Sequence, residues 1–300
     1  MFIDKINIVK YLRISKCETN IYFFFSVLIT LTYYFFSADI NQPVLLTVLA
    51  IFVIVFGLPH GALDTILAKQ YNIYSNLLGF VFFNFVYLGL ALFMFVFWYF
   101  YPIVALSIFL LISLWHFSED WQNILKYWER IFIGIYVLSL PVVFHKPLIN
   151  EIYFYLTGSS LNYIITDIQF TLGLATLPFI TFIVLKRIKA RKFFLQVVTL
   201  FLTAILLNPI LYFLSYFCFF HSIKNYKESL ILLKDQNMKI VYRIVLINTL
   251  LSVVLGILMY FYYFDENLEV KISKVIFIGL ACLTVPHMIL KVFIHKNIRF

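Results

Sequence analysis

A chain of 300 residues that is 63% hydrophobic and only 12% charged is not a soluble globular protein, since soluble domains are about half apolar and a quarter charged. Its mean hydropathy of +0.97 marks a polytopic membrane protein. In such a chain the net charge of +9 reports topology rather than nucleic-acid binding.

The first apolar run begins near Ile21, behind Lys5, Lys10, Arg13 and Lys16. No small-residue cleavage site follows it, so it is expected to remain as the first span. The later runs are long and continuous, which predicts helices rather than the short alternating segments of a barrel. The expected fold class is all-α, a polytopic transmembrane helical bundle forming a single integral membrane domain over 1–300. Spans are expected at about 21–37, 44–60, 77–99, 102–118, 131–145, 168–186, 193–207, 210–223, 240–263 and 272–294. Asn208-Pro209 interrupts the stretch 193–223, which reads as one kinked helix or as two short spans, because proline removes a backbone donor. Charge favours ten spans, or nine with a re-entrant break near Asn208; plain nine and eight are the alternatives. With ten spans and an inside N-terminus, 20 of the 23 Lys and Arg residues lie inside and 3 outside, the bias of the positive-inside rule. With nine, the Lys224–Arg243 cluster moves outside. Both termini are thus expected on the cytoplasmic side of an inner (plasma) membrane. The longest polar loops are expected near 146–167 and 224–239.

Cys17, Cys218 and Cys282 are scattered, with no disulfide framework and no zinc-binding spacing. No G-x-S-x-G occurs, and the nine glycines are spread singly, which excludes a nucleophile elbow and a phosphate loop. The histidines carry the chemistry. His145 and His295 sit beside lysines at span ends and read as interfacial. His60, His116, His221 and His287 stand in the apolar contexts GLPHGALD, LWHFSED, CFFHSIKN and TVPHMIL, where an ionisable group is costly and therefore a functional candidate. In the ten-span reading the first three end spans running from outside to inside. His287 lies past the midpoint of its own span, so all four fall in one leaflet. Asp64 and Asp120 follow His60 and His116 at i+4, the same helical face. There a carboxylate can orient an imidazole for a metal, or simply solvate a helix end. Converging imidazoles suit Fe(II), Zn(II) or Cu; a proton relay is the competing use. Aromatics such as Phe56, Trp115 and Phe220 lie within a turn of the histidines and are candidates for lining a tunnel for a long polyene.

GLPHGALD at 57–64, WHFSED at 115–120, FHSIKN at 220–225 and PHMIL at 286–290 resemble the Brp/Blh family of membrane β-carotene 15,15′-dioxygenases over essentially the whole chain. The resemblance implies cleavage of the central double bond of β-carotene with O2 to two retinals, using Fe(2+) held by histidines. It further implies that His60, His116 and His221 are iron ligands, and that Asp64 and Asp120 belong to the catalytic motifs. One position departs from the family pattern, which often places a second histidine four residues after the match to His221, where this chain has Asn225. Either its amide oxygen replaces that ligand, or His287 supplies the fourth nitrogen, or the site is weakened; His287 is preferred. The partners so implied are a carotenoid, O2, membrane lipid and a retinal-binding rhodopsin as candidate acceptor of the product. The other readings are a transporter or carotenoid-binding protein without redox chemistry, and another membrane iron oxygenase. The clustered boxes H-x-x-x-H and H-x-x-H-H of hydroxylases and desaturases are absent. Histidines near the inside ends of their spans predict a polyene lying nearly in the membrane plane, in a tunnel that crosses the bundle at their depth and opens sideways to lipid.

Overall fold

The computed structural model describes residues 5–36 and 41–298, with side chains described for 17–36 and 41–294. Among the described residues every regular element is helical, and ten helices follow one another: α1 (Lys5–Phe36), α2 (Gln42–Gln70), α3 (Leu77–Phe100), α4 (Pro102–Trp121), α5 (Tyr127–Thr157), α6 (Asn162–Lys186), α7 (Arg191–Leu206), α8 (209–232), α9 (Met238–Tyr262) and α10 (Leu268–Ile298). Eight of them are long and apolar enough to cross a membrane. The exceptions, α7 and α8, account for the ambiguity at Asn208-Pro209. Their connection is a sharp break, and Asn208 caps the new helix by accepting from Ile210 N at 2.9 Å. Asparagines also start α2, α3 and α9, each through its side-chain oxygen, satisfying donors that a helix N-terminus leaves unpaired.

α8 is the centre of the bundle. Its residues 214–222 are all buried, as expected of a helix surrounded by protein rather than by lipid. That position explains why α8 can be too polar for a span of its own: irregular or polar helices at membrane depth are tolerated where protein covers them. α1 and α2 pack directly on it. α3 and α9, by contrast, leave most of their apolar side chains exposed and form a lipid-facing flank beside α10.

Two expected loops are largely helical. α5 continues from Tyr127 to Thr157 through a kink at His145 (φ −133°, ψ 41°). Pro147 removes the helical hydrogen bond to Val143 there, and His145 Nε2 lies 3.0 Å from the Ala204 carbonyl oxygen. The connection to α6 shrinks to a short turn at Gly158 (φ 63°), a left-handed cap that favours glycine. α8 likewise runs on to Leu232. Ion pairs tie both ends of the α5–α6 hairpin: Arg187 Nη2 to Glu129 at 2.6 Å, and Lys146 Nζ to Asp167 at 2.8 Å. The basic residues Lys126, Arg130, Lys186 and Arg187 therefore share one end of the bundle. His295 lies outside the described side chains.

Close helix approach rests on glycine. A Cβ added at Gly134 of α5 would sit 2.6 Å from the Leu114 carbonyl oxygen and 3.2 Å from Ser118 Cβ of α4. Backbone cannot yield cheaply, so Gly134→Ala is expected to destabilise the protein by about 1–3 kcal/mol. Gly256→Ala, whose Cβ would meet only Val275 at 3.8 Å, should be nearly neutral; thermal unfolding in detergent compares the two. Reporter fusions after Leu232 and at the C-terminus should both read cytoplasmic, and a signal from the opposite side after Leu232 would reverse the orientation of α8 and α9.

Candidate metal centre

Four helices bring one histidine each to a common point: His60 from α2, His116 from α4, His221 from α8 and His287 from α10. Ring centroids lie 4.5 Å apart for His116 and His221, 5.1 Å for His116 and His287, 5.4 Å for His60 and His221, and 5.5 Å for His60 and His287. His116 stands in the last turn of the α-helix Pro102–Ser118, as expected, and His60 in the last turn before a break at Ala62–Leu63; past His221, by contrast, α8 continues to Leu232. Two of the carrier segments are π-helical, Val53–Gly57 just before His60 and Leu214–Ser222 around His221. Such turns recur at functional sites because one inserted residue re-aims the side chains that follow. The two π segments touch at Gly57, where a Cβ would come within 2.9 Å of the Phe217 ring.

The carboxylates are the principal correction to the sequence reading. Asp64 does not serve His60, nor Asp120 His116. Asp64 meets His287 Nδ1 with its two oxygens at 2.9 and 2.8 Å and accepts from Tyr87 OH at 2.9 Å. Asp120 meets His221 Nδ1 at 3.0 Å and accepts from Tyr216 OH at 2.7 Å. The α-helix is interrupted within each pair, by the turn at Ala62–Leu63 and by the tighter turn Glu119–Trp121, so the i and i+4 side chains no longer share one face and the carboxylates meet facing helices instead. His60 Nδ1 is paired with the Gly57 carbonyl oxygen. Three of the four rings thus have Nδ1 held by an oxygen acceptor, which leaves Nε2 as the lone-pair nitrogen.

Asn225 takes no place among these nitrogens. Its Nδ2 donates to Asp120 Oδ1 at 3.1 Å and to the His221 carbonyl oxygen at 2.9 Å, and its Oδ1 accepts from Lys291 Nζ at 3.2 Å. Lys291 also pairs with Glu119 at 3.0 Å, and Lys224 with Glu228 at 3.2 Å. These charges pack beneath the histidines on the side away from the cavity. Tyr87, Tyr216, Glu119 and Lys291 were missed by sequence reasoning. Of these, Glu119 and Lys291 carried a legible signal, each standing one helical turn after a candidate histidine, His116 and His287.

The donor set fits a metal ion. One nitrogen from each of His60, His116 and His287 lies within 4.8 Å of the other two, and His221 Nε2 lies 3.1 Å from His116 Nε2. His287 Nε2 and His116 Nδ1 are buried with no hydrogen-bond partner among the described residues. An orphaned buried nitrogen is costly in hydrocarbon surroundings, and coordination would satisfy that of His287.

His60, His116 and His287 line an apolar cavity of about 1750 Å3, its open mouth included. Phe56, Trp115 and Phe220 do not line it. Phe56 packs on Phe52 and Phe219, Phe220 on Tyr22 and Trp121, and Trp115 is half exposed on the outer surface. Trp115 and Phe220 stand next to their histidines and point about 100° away, and Phe56, four residues before His60, is turned off that face by the π-helical segment Val53–Gly57. Phe213 and Phe217 on the His221 helix and Phe109 on the His116 helix line the cavity, as does Phe117 next to His116. Nor does the cavity simply cross the bundle at the level of the histidines. Its lining includes the exposed Leu88 of α3 and Leu251 and Leu255 of α9, and extends along α4 to Leu106 and along α10 to Phe277.

A helical membrane protein with a buried imidazole centre at the foot of an apolar, laterally open cavity has the build of a metalloenzyme for lipid-soluble substrates. Comparison with known proteins agrees. A sequence model of the β-carotene 15,15′-dioxygenase family matches residues 51–295, which include all four histidine motifs, and the chain belongs to that family of carotenoid-cleaving oxidoreductases. A relative named β-carotene 15,15′-dioxygenase, from uncultured marine bacterium 66A03, is 31% identical over 266 residues, covering 81% of this chain and 92% of its own length. No solved structure matches.

Because outer carboxylates typically change metal affinity or activity 10–100-fold, Asp64→Asn and Asp120→Asn should each lower metal content in that range. The cross-helix pairing adds a sharper expectation. Asp64→Asn should cost little further in a His287→Ala background and remain costly in a His60→Ala background, with metal content of purified protein as the readout.

Proposed function

We propose that this chain cleaves the central 15,15′ double bond of β-carotene with O2, giving two molecules of retinal, at an Fe(II) centre held by His60, His116, His221 and His287. The bond and one O2 balance two aldehydes with no other reactant. The observation that carries the reading is the meeting of four imidazoles from four helices, three with Nδ1 already anchored, at an apolar cavity open to lipid. Fe(II), when bound, would supply the redox chemistry that lets O2 react with a closed-shell polyene.

The protein's own residues do the rest. Asp64 and Asp120 hold His287 and His221 in one tautomer and one orientation. Tyr87 and Tyr216 fix those carboxylates in turn. Phe213, Phe217 and Leu280 present hydrocarbon to the polyene and keep water away. Asn225 and Lys291 close the polar side. With Asn225 engaged there, His287 is the fourth ligand in this reading.

We place the enzyme in the inner (plasma) membrane with both termini cytoplasmic, on the strength of the charge bias and of the basic residues gathered at one end of α5 and α6. Substrate and product are both lipid-soluble and would pass through the mouth between α3 and α9. A retinal-binding rhodopsin in the same bilayer is the proposed acceptor. Expression in a β-carotene-accumulating bacterium should bleach the cells and yield retinal on chromatography, and His116→Ala should abolish both changes. Full expression in the membrane with carotene untouched would refute the reading.

A further inference from the structure

The four rings of the centre are not held alike. Nδ1 of His60 meets a backbone carbonyl, that of His221 meets Asp120, and that of His287 meets Asp64. His116 is the exception. Its Nδ1 is buried and has no hydrogen-bond partner among the described residues. Its other nitrogen, Nε2, faces His221 Nε2 at 3.1 Å and so points at the common centre. When Nε2 offers its lone pair there, the ring proton sits on Nδ1, and a buried donor without an acceptor is costly.

A complementary group lies beside it. Glu119 follows His116 by three residues, at the start of the 3₁₀ turn Glu119–Trp121 that ends α4. Its Oε2 stands 3.9 Å from His116 Nδ1, and it too is buried without a well-formed hydrogen bond. Lys291 Nζ pairs with that oxygen by charge at 3.0 Å, but a carboxylate oxygen has room for a second donor. A buried donor and a buried acceptor thus face one another about 1 Å beyond hydrogen-bond distance, a gap that rotation of the Glu119 side chain can close. The other carboxylates at the centre are already engaged: Asp120 by His221, Tyr216 and Asn225, and Asp64 by His287 and Tyr87. Lys291 keeps Glu119 in place. Its ammonium also meets Asn225 Oδ1 at 3.2 Å, so the side chain of Glu119 is fastened to α8 and α10 as well as to its own helix.

We propose that Glu119 is the positioning residue of His116: in the metal-loaded protein its carboxylate accepts from His116 Nδ1–H, with Lys291 as the brace. This rests on the reading of the four histidines as a metal centre. All four imidazoles are then held through Nδ1, and the ion pair with Lys291 is kept. The arrangement repeats one found twice elsewhere in the centre. Tyr216, Asp120 and His221 run donor, carboxylate, imidazole, as do Tyr87, Asp64 and His287; Lys291, Glu119 and His116 are the third such set. Asn225 gains a role as well, since its carboxamide oxygen holds the brace.

The test uses purified full-length protein, stripped of metal and titrated with Co(II), whose visible absorption reports both affinity and geometry. Glu119→Ala should weaken Co(II) binding by about 10- to 100-fold and shift the absorption band. Glu119→Gln keeps an acceptor oxygen and should recover part of the loss. In a His116→Ala background Glu119→Ala should cost no more than about 2-fold further, whereas in a His60→Ala background its full cost should remain. A glutamate that only anchors Lys291 in the packing would cost the same in both backgrounds, and that result would overturn the proposal. A second measurement does not rely on histidine variants that fail to fold. Zn(II)-loaded protein, isotope-labelled at histidine, should show one fewer slowly exchanging Nδ1–H proton in Glu119→Ala than in the wild type; an unchanged set would also overturn it. If Co(II) binding shows this coupling but β-carotene is left intact, the proposed function fails and the role of Glu119 stands. If β-carotene is cleaved while Glu119→Ala binds Co(II) like the wild type, the role of Glu119 fails alone.

Discussion

A ring N–H buried among hydrocarbon must find an acceptor, and in this bundle two carboxylates from distant helices provide it. Asp64 of α2 holds His287 of α10, and Asp120 of α4 holds His221 of α8. These pairs join the first half of the chain to the second, 223 residues apart for one and 101 for the other. Each carboxylate is itself held by a tyrosine. The position of α8 at the centre, the close approach of the two π segments and the direction in which the four imidazoles point are consistent only with helices held at this separation. Removing one carboxylate leaves a buried donor unpaired as well as a histidine free to turn, which is why the site and the helix packing cannot be tuned independently.

The sequence made the helical membrane class and the order of the elements plain, since apolar runs of spanning length have few alternative explanations. It also isolated four of six histidines by the polarity of their surroundings. What it could not supply was partnership between helices. Asp64 and Asp120 stand four residues after histidines, and local spacing invites an intrahelical reading. The actual partners lie across the bundle, where periodicity gives no information. The aromatic positions failed for a related reason: of the two neighbours of His116, Phe117 turns to the cavity and Trp115 to the outer surface, a choice that sequence adjacency does not make. The apparent loops at 146–157 and 223–232 are helices because polar residues there are paired, as Asn150 with Asn162 and Thr166 and Lys224 with Glu228. Paired polar groups need no loop.

The site divides into two media. On one side the histidines face hydrocarbon. On the other lies a compact set of charges, Glu119, Asp120, Lys224, Glu228 and Lys291, threaded by Asn225. Opposite charges so paired cost less to bury than single ones, and they place a water-excluding plug between the imidazoles and that end of the bundle. Asn225 belongs to this plug by its chemistry. A carboxamide presents a donor to Asp120 and an acceptor to Lys291 at the same time, which an imidazole at that position would do only in one tautomer.

The π-helical stretch Leu214–Ser222 makes chain length itself part of the centre. An α-helix turns about 100° per residue. Loss of one residue between Pro209 and His221 would let the stretch relax to ordinary α-helix, and would swing the upstream wall, with Phe213 and Phe217, off the face shared with His221. Such a chain would keep all four histidine motifs and still not assemble the centre. The spacing from the proline that starts α8 to its histidine is therefore as much a requirement of the centre as the histidine itself, and a single codon gained or lost would disturb it.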